Sequence, residues 1–117
     1  MNDKTVKEIL TDTRSAYLAN PDSWTQGLLV GKGCYCLLGG IGVASGLDVV
    51  NDPDYGTEHL YTALEDNPAV LHLAESIWEG YDVHERSALS VIYGFNDSPE
   101  TDLDSVLAAL DKAIATA

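Results

Sequence analysis

Apolar residues recur three and four positions apart along most of the chain, which is the spacing of one buried helix face. In the first such stretch, Thr5 and Glu8 match a capping box, and Asn20 with Pro21 ends the pattern. The stretch predicts a helix whose inward residues are Val6, Ile9, Leu10, Thr13, Ala16 and Tyr17. Because strand-type alternation is almost absent from the rest of the chain, the pattern predicts an all-α fold.

Glycines divide the next part of the chain. Gly27, Gly31 and Gly33 interrupt the apolar residues after Trp24, so residues 24–33 are expected to form a short β-like hairpin or an ordered loop. Residues 36–45 are small and apolar, and Gly46 suits the left-handed position that ends a helix. This second segment predicts a buried central helix.

Turn formers and helix signals alternate in the middle of the chain. Residues 48–56 are rich in Asn, Asp and Pro, which predicts an exposed loop, and a short helix is expected over about residues 57–65. Asn67 and Pro68 are typical of a helix start, and Gly80 is the expected end. The inward residues of that helix are predicted to be Val70, Leu71, Ala74, Ile77 and Trp78.

Two more helices are predicted before the C-terminus. Asp82 with Glu85 is the expected cap of the first, which turns Leu89 and Ile92 inward and ends near Gly94. Thr101 with Asp104 is the expected cap of the second, whose apolar stripe is Leu103, Val106, Leu107, Leu110 and Ile114. The whole chain, residues 1–117, is therefore predicted to be one globular domain, a compact bundle of about five or six short helices.

Charge is the feature that most restricts function. The chain has 19 Asp and Glu against 6 Lys and Arg, a net charge of −13 on 117 residues. Such a surplus repels nucleic acid and anionic membranes, so the expected partner is a basic protein. No apolar run approaches the length of a spanning helix and no export segment follows Met1, so a cytoplasmic location is expected.

Several groups of residues invite a chemical interpretation that the sequence does not support. The glycines of residues 39–46 lack the preceding strand and the lysine of a phosphate-binding loop, and close helix packing explains them better. Cys34 and Cys36 are too close to form a disulfide without strain and are expected to be reduced thiols.

The three histidines, His59, His72 and His84, lie on separate predicted elements, so no metal or other cofactor is expected. The acidic residues 96–104 lack the spacing of a calcium loop, and helix capping explains them.

Three motifs carry a resemblance to a known family. They are Trp24-Thr25-Gln26-Gly27, then Cys36-Leu37-Leu38-Gly39 with Ile41, Ala44 and Gly46, and finally Phe95-Asn96-Asp97 followed by Thr101 and Val106. Over nearly the whole chain after the first helix, this pattern resembles a small uncharacterised family of actinobacteria and their phages. Phe95 stands where the family often has tryptophan, and Glu100 where a basic residue is common. The resemblance implies a phage-type context and supplies no catalytic residues, since the family is a domain of unknown function.

The charge and the absence of a reaction signature favour a non-enzymatic interaction protein. It would bind a basic host protein, with imitation of DNA as one means of inhibiting it. The candidate partner-binding residues are the carboxylates Asp52, Asp54, Glu58, Asp97, Glu100 and Asp102. A surplus of charge that only maintains solubility remains an alternative.

Two further functions stay open. A small enzyme or ligand-binding domain would have its pocket between the Trp24 segment and the Cys36 helix, with Trp24, Cys34, Tyr35, Cys36, His59 and His72 as its candidate residues. A homo-oligomeric accessory protein would use the last helix, which carries alanines at 108, 109, 113 and 115. Neither direct nucleic-acid binding nor a membrane partner is expected, and a phage-encoded protein would act in the host cytoplasm.

Overall fold

Helices account for most of the protein that a computed structural model describes, which is residues 4–26, 35–46, 63–78 and 87–117. The first helix, α1, spans Val6–Ala19, and one turn of 3-10 helix follows at Pro21–Ser23. The later helices are α2 (Leu37–Ala44), α3 (Pro68–Ile77), α4 (Ala88–Asp97) and α5 (Leu103–Thr116). Residues 63–65 are also helical. The described residues contain no strand, and the predicted all-α bundle is confirmed.

The start of α1 follows the local sequence closely. The backbone N–H of Glu8 donates to Thr5 Oγ1 at 3.1 Å, and the backbone N–H of Thr5 donates to Glu8 Oε1 at 3.2 Å. This is the predicted capping box, which satisfies two backbone donors at the helix start. The prediction that Ala16 faces inward is wrong, because Ala16 is exposed, whereas Tyr17 beside it is buried.

The central helix α2 ends as predicted, at a glycine with φ of 84° at position 46. Small residues on this helix allow a close approach to α1. A Cβ added at Gly40 would overlap the hydroxyl of Tyr17 and lie 3.0 Å from its Cζ atom. The glycine run is therefore explained at this position by helix packing, as the sequence indicated.

The start of α3 is also confirmed, because the Asn67 side chain accepts hydrogen bonds from the backbone N–H groups of Ala69 and Val70. Its end differs from the prediction. The helix stops at Ile77, and Trp78 is an exposed C-cap residue instead of a member of the inward face. Leu73 is fully buried in that face, a position that the predicted set omitted.

The starts of the last two helices differ from the prediction. Ser87 caps α4 by accepting from the backbone N–H of Ser90, and the helix continues past Gly94 to Asp97. Asp102, not Thr101, caps α5 by accepting from the backbone N–H of Ser105 at 2.8 Å. The backbone N–H of Thr101 donates to the carbonyl of Ser98 and closes a turn, so the helix begins one residue later than expected.

The core lies where α1, α3 and α5 meet and where α2 packs against α1 and α4. Its fully buried side chains include Leu10, Leu37, Leu38, Ile41, Leu64, Leu73, Ile92 and Leu110. The predicted stripe of α5 is confirmed at Val106 and Leu110, which are buried, and Leu103, Leu107 and Ile114 are partly buried against the same core. No helix among the described residues is long and apolar enough to cross a lipid bilayer.

Some predicted elements fall on residues that the structure does not describe. They are the loop over 48–56, most of the helix over 57–65, the Asp82 and Glu85 cap, and residues 27–33 of the expected hairpin or loop. At the start of that last segment, Trp24 forms an isolated parallel bridge with Tyr35. The bridge brings the two segments together just before α2.

Candidate functional site

The side chain of Asn96 connects three segments that are far apart in the sequence. Its Oδ1 atom accepts from the indole Nε1 of Trp24 at 2.7 Å and from the backbone N–H of Leu37 at 3.1 Å. Its Nδ2 atom donates to the carbonyl of Thr25 and to Oδ1 of Asp97, both at 3.0 Å. Asn96 is fully buried, and these four bonds use both donors and both acceptor positions of the carboxamide.

One of these bonds completes the N-terminus of α2. Cys36, the N-cap residue of that helix, makes no side-chain capping bond, and Leu37 provides the first N–H of the helix. Since the first N–H groups of a helix have no partner within it, the Asn96 carboxamide supplies the missing acceptor from the end of α4. Asn96 therefore acts on a helix that is 59 positions away from it in the sequence.

A second amide fixes the turn between α4 and α5. The Nε2 atom of Gln26 lies 2.9 Å from the carbonyl oxygens of Asn96 and Ser98 and 3.3 Å from that of Thr101. The two hydrogens of this amide are thus shared among three carbonyls at the end of α4 and in the turn. Together with Asn96, Gln26 holds residues 97–104 in one conformation relative to the bundle.

Residues 97–104, here named the acidic turn, carry four exposed carboxylates: Asp97, Glu100, Asp102 and Asp104. The sequence from Ser87 to Asp111 contains no Lys or Arg. Asp102 is engaged as the cap of α5, and bonds from the backbone N–H and the hydroxyl of Ser105 lower the pKa of its carboxyl. The turn is therefore a local concentration of negative charge on a fixed backbone.

The six predicted partner-binding carboxylates are only partly brought together among the described residues. Asp97, Glu100 and Asp102 lie together in the acidic turn, whereas Asp52, Asp54 and Glu58 lie outside the described residues. Asp104, which the predicted set omitted, belongs to the same turn. Because Asp102 caps a helix, its neutralisation is expected to affect stability as well as charge.

The six candidate ligand-binding residues divide in a similar way. Trp24, Tyr35 and Cys36 meet near the start of α2, where the backbone N–H of Thr25 donates to the Tyr35 carbonyl at 3.1 Å. His72 lies elsewhere, because its Nε2 atom contacts the carbonyl of Ala113 at 2.8 Å and the Thr116 hydroxyl at 3.0 Å. A carbonyl oxygen can only accept, so Nε2 carries the proton and His72 joins α3 to α5. Cys34 and His59 lie outside the described residues.

Burial makes Cys36 a poor nucleophile. It is 5% exposed, and burial, followed by the nearby charge of Asp97, raises the pKa of its thiol. The phenol of Tyr17 bonds to the carbonyl of Cys36 at 2.8 Å, and burial likewise raises the pKa of Tyr17. A thiol attacks as the thiolate, so Cys36 acts here as a packing residue. Within the described ranges, no three His, Cys, Asp or Glu side chains are grouped so that they could hold a metal ion.

A cleft of about 640 Å³ lies between α1 and α2. Ala16, Val43 and Ala44 supply apolar walls, the ion pair of Lys4 with Asp12 (2.7 Å) lies at one end, and Asn20 and Tyr35 lie at the other. Tyr35 is the only candidate ligand-binding residue among its described lining. The volume of the cleft is typical of small-molecule sites. The sequence instead predicted a pocket between the Trp24 segment and the Cys36 helix, and neither Trp24 nor Cys36 lines the cleft.

Fold and contacts together define a small acidic α-helical protein in which an asparagine and a glutamine fix a carboxylate-rich turn. The chain belongs to DUF6197, a family of unknown function, whose model matches residues 1–116. The family confirms the resemblance to an uncharacterised domain. No curated protein and no solved structure matches the chain.

Proposed function

We propose that this protein is a non-enzymatic binding module that uses the acidic turn to hold a basic partner protein. The observation that carries the proposal is the concentration of four exposed carboxylates within residues 97–104, with no Lys or Arg from Ser87 to Asp111. Charges that share one surface add their fields, so they attract a basic partner more strongly than scattered charges do.

Rigidity supports the same function. The bonds of Asn96 and Gln26 hold the backbone of the turn before any partner binds. A preordered surface loses less conformational entropy on binding than a flexible one does. The turn therefore suits recognition of a fixed array of basic groups.

In the form that we propose, the partner is a DNA-binding or other basic host protein, and this chain is encoded by a phage. Its carboxylates then occupy the site where the partner protein binds the phosphates of DNA. The net charge of −13 supports binding to a basic protein, since it disfavours direct contact with nucleic acid. The protein then needs no cofactor and performs no reaction.

Matched charge variants test the proposal. The first triple variant, Asp97→Asn, Glu100→Gln and Asp104→Asn, neutralises the turn and leaves the Asp102 cap in place. The control triple, Glu65→Gln, Asp66→Asn and Glu75→Gln, removes the same charge from exposed positions elsewhere. Affinity for hexalysine and for basic proteins that co-purify from the native cells is compared at about 50 and 500 mM salt.

We expect the turn variant to lose at least tenfold in affinity, which corresponds to about 1.4 kcal/mol, and the control to lose much less. An equal loss in both variants would show that net charge acts without a site. Failure of the wild-type protein to bind any basic probe at low salt would overturn the proposed function.

The cleft between α1 and α2 favours a second candidate, a small-ligand-binding domain. Its apolar walls and polar ends match the usual composition of such sites. A ligand that binds only the folded state raises the melting temperature by mass action. A thermal-shift screen of nucleotides and acyl compounds against wild type and Val43→Trp, which would obstruct the cleft, tests this candidate, and a shift that persists in the variant would exclude the cleft.

A further inference from the structure

A second groove, of about 290 Å³, lies between the C-terminal end of α3 and α4. It is lined by Ile77, Trp78, Ser90, Val91, Gly94 and Phe95. An added Cβ at Gly94 would meet no atom within 4 Å, so the absence of a side chain there keeps the groove open. The groove is next to the acidic turn, because α4 ends at Asp97, three residues after Gly94.

One exposed aromatic side chain, Trp78, lines this groove. It is 38% exposed, so part of its indole ring faces solvent. Gly94, which lines the groove, is three residues before Asp97 on α4, and residues at this spacing are neighbours on a helix surface. An aromatic face and a carboxylate therefore border the same open space.

The backbone adds negative potential at the same place. The C-terminal end of α3 forms one wall, and α4 ends one turn beyond the groove. Neither helix has a basic residue in its last turn. The carbonyls at a helix C-terminus carry partial negative charge that favours a nearby cation, so the groove attracts a cationic side chain from another molecule.

We infer that this groove receives an arginine side chain of the basic partner, an inference that rests on the proposed function. A guanidinium can stack on an indole face while its N–H groups pair with a carboxylate. Lysine can supply only a point charge, since its ammonium has no flat face to stack. A carboxylate accepts about four hydrogen bonds, so the bond from Asn96 does not prevent Asp97 from pairing with a guanidinium.

Two peptides of equal charge, hexa-arginine and hexalysine, separate this inference from the proposed function. Fluorescence anisotropy with labelled peptides measures their affinities for wild type, Trp78→Ala and Gly94→Leu, the last of which fills the groove. Leu18→Ala is the matched control, because it removes an exposed apolar side chain from α1. Circular dichroism and thermal melting check that each variant is folded.

We expect wild type to bind hexa-arginine about tenfold more tightly than hexalysine, because only the planar guanidinium can stack flat on the indole and still pair with a carboxylate. That preference should disappear in Trp78→Ala or Gly94→Leu and persist in Leu18→Ala. Equal binding of both peptides by wild type, or a preference unchanged in both groove variants, would overturn the inference and leave the proposed function standing. If neither peptide binds wild type, both proposals fail.

Discussion

The indole of Trp24 donates a hydrogen bond of 2.7 Å to the carboxamide oxygen of Asn96, across 72 positions of sequence. The same oxygen accepts from the first N–H of α2, and the amide nitrogen donates to Thr25. One buried side chain thus joins the segment before α2, α2 itself and the end of α4. The acidic turn begins at the next residue, so its position depends on this contact.

Asn96→Ala should be strongly destabilising. It leaves the Leu37 N–H and the Thr25 carbonyl without their partner, and we expect a loss of roughly 3–5 kcal/mol in the free energy of unfolding. Trp24→Phe removes one donor and leaves the bond to Leu37, so its expected loss is about 1–2 kcal/mol. Urea denaturation measures both. A loss below about 1 kcal/mol for Asn96→Ala would show that water replaces the network at little cost.

Gly40→Ala tests the contact between α1 and α2. The new methyl group would overlap the Tyr17 hydroxyl, which is held by the carbonyls of Tyr35 and Cys36. We expect a loss of about 1–3 kcal/mol, despite the better helix propensity of alanine. Thermal melting of Gly40→Ala alone and with Tyr17→Phe measures the effect, and the double variant should regain part of the lost stability.

Gly94→Ala is the matched control for that prediction, because its methyl group meets open space. It should stabilise the protein by about 0.5–1 kcal/mol, since alanine restricts the unfolded chain and favours helix. If both glycine variants change stability in the same direction, packing against Tyr17 does not explain the glycine at position 40.

Cys36 should resist alkylation in the folded protein. It is buried, and the raised pKa keeps its thiol protonated at neutral pH. In a Cys34→Ser variant, which leaves Cys36 as the single cysteine, iodoacetamide labelling followed by mass spectrometry should be slow until urea unfolds the chain. Rapid labelling without denaturant would instead indicate an accessible thiolate and revive the enzymatic alternative.

Asp102 should make stability depend on acidic pH. Its pKa is lowered in the folded state by the backbone N–H and hydroxyl of Ser105. Its contribution is therefore present above the unfolded-state pKa, ~3.9, and is lost as pH falls through the lower folded-state value. Melting temperatures from neutral pH to about pH 2 measure this loss.

Substitutions at Asp102 separate capping from charge. Asp102→Asn keeps a capping oxygen that does not titrate, so it should retain more stability at neutral pH than Asp102→Ala and show a smaller loss in acid. Glu75→Gln removes the same charge from an exposed site on α3 and serves as the control. Equal pH profiles for wild type and Asp102→Asn would contradict the role of this cap.

Much of the fold could be predicted from the sequence, because the residues that start and end each helix act over short distances along the chain. The capping box of Thr5 and Glu8, the Asn67 cap with Pro68, and the left-handed Gly46 each act within a few residues of the helix end that they define. The three-four spacing of apolar residues likewise depends only on helix geometry, and it predicted most of the inward faces of α1 and α5. Trp78 failed this rule because α3 ends one residue before it.

By itself, then, the sequence determined the helical class, most helix starts and the surplus of acid, since each follows from neighbouring residues or from composition. Tertiary structure alone decided that Asn96 and Gln26 bond across about 70 positions, that His72 lies apart from Cys36, and that Asp102 caps in place of Thr101. Such contacts depend on how whole helices pack. An Asn or Gln carboxamide has the same donors and acceptors whether it is buried or exposed. The sequence alone therefore does not show which groups it will contact.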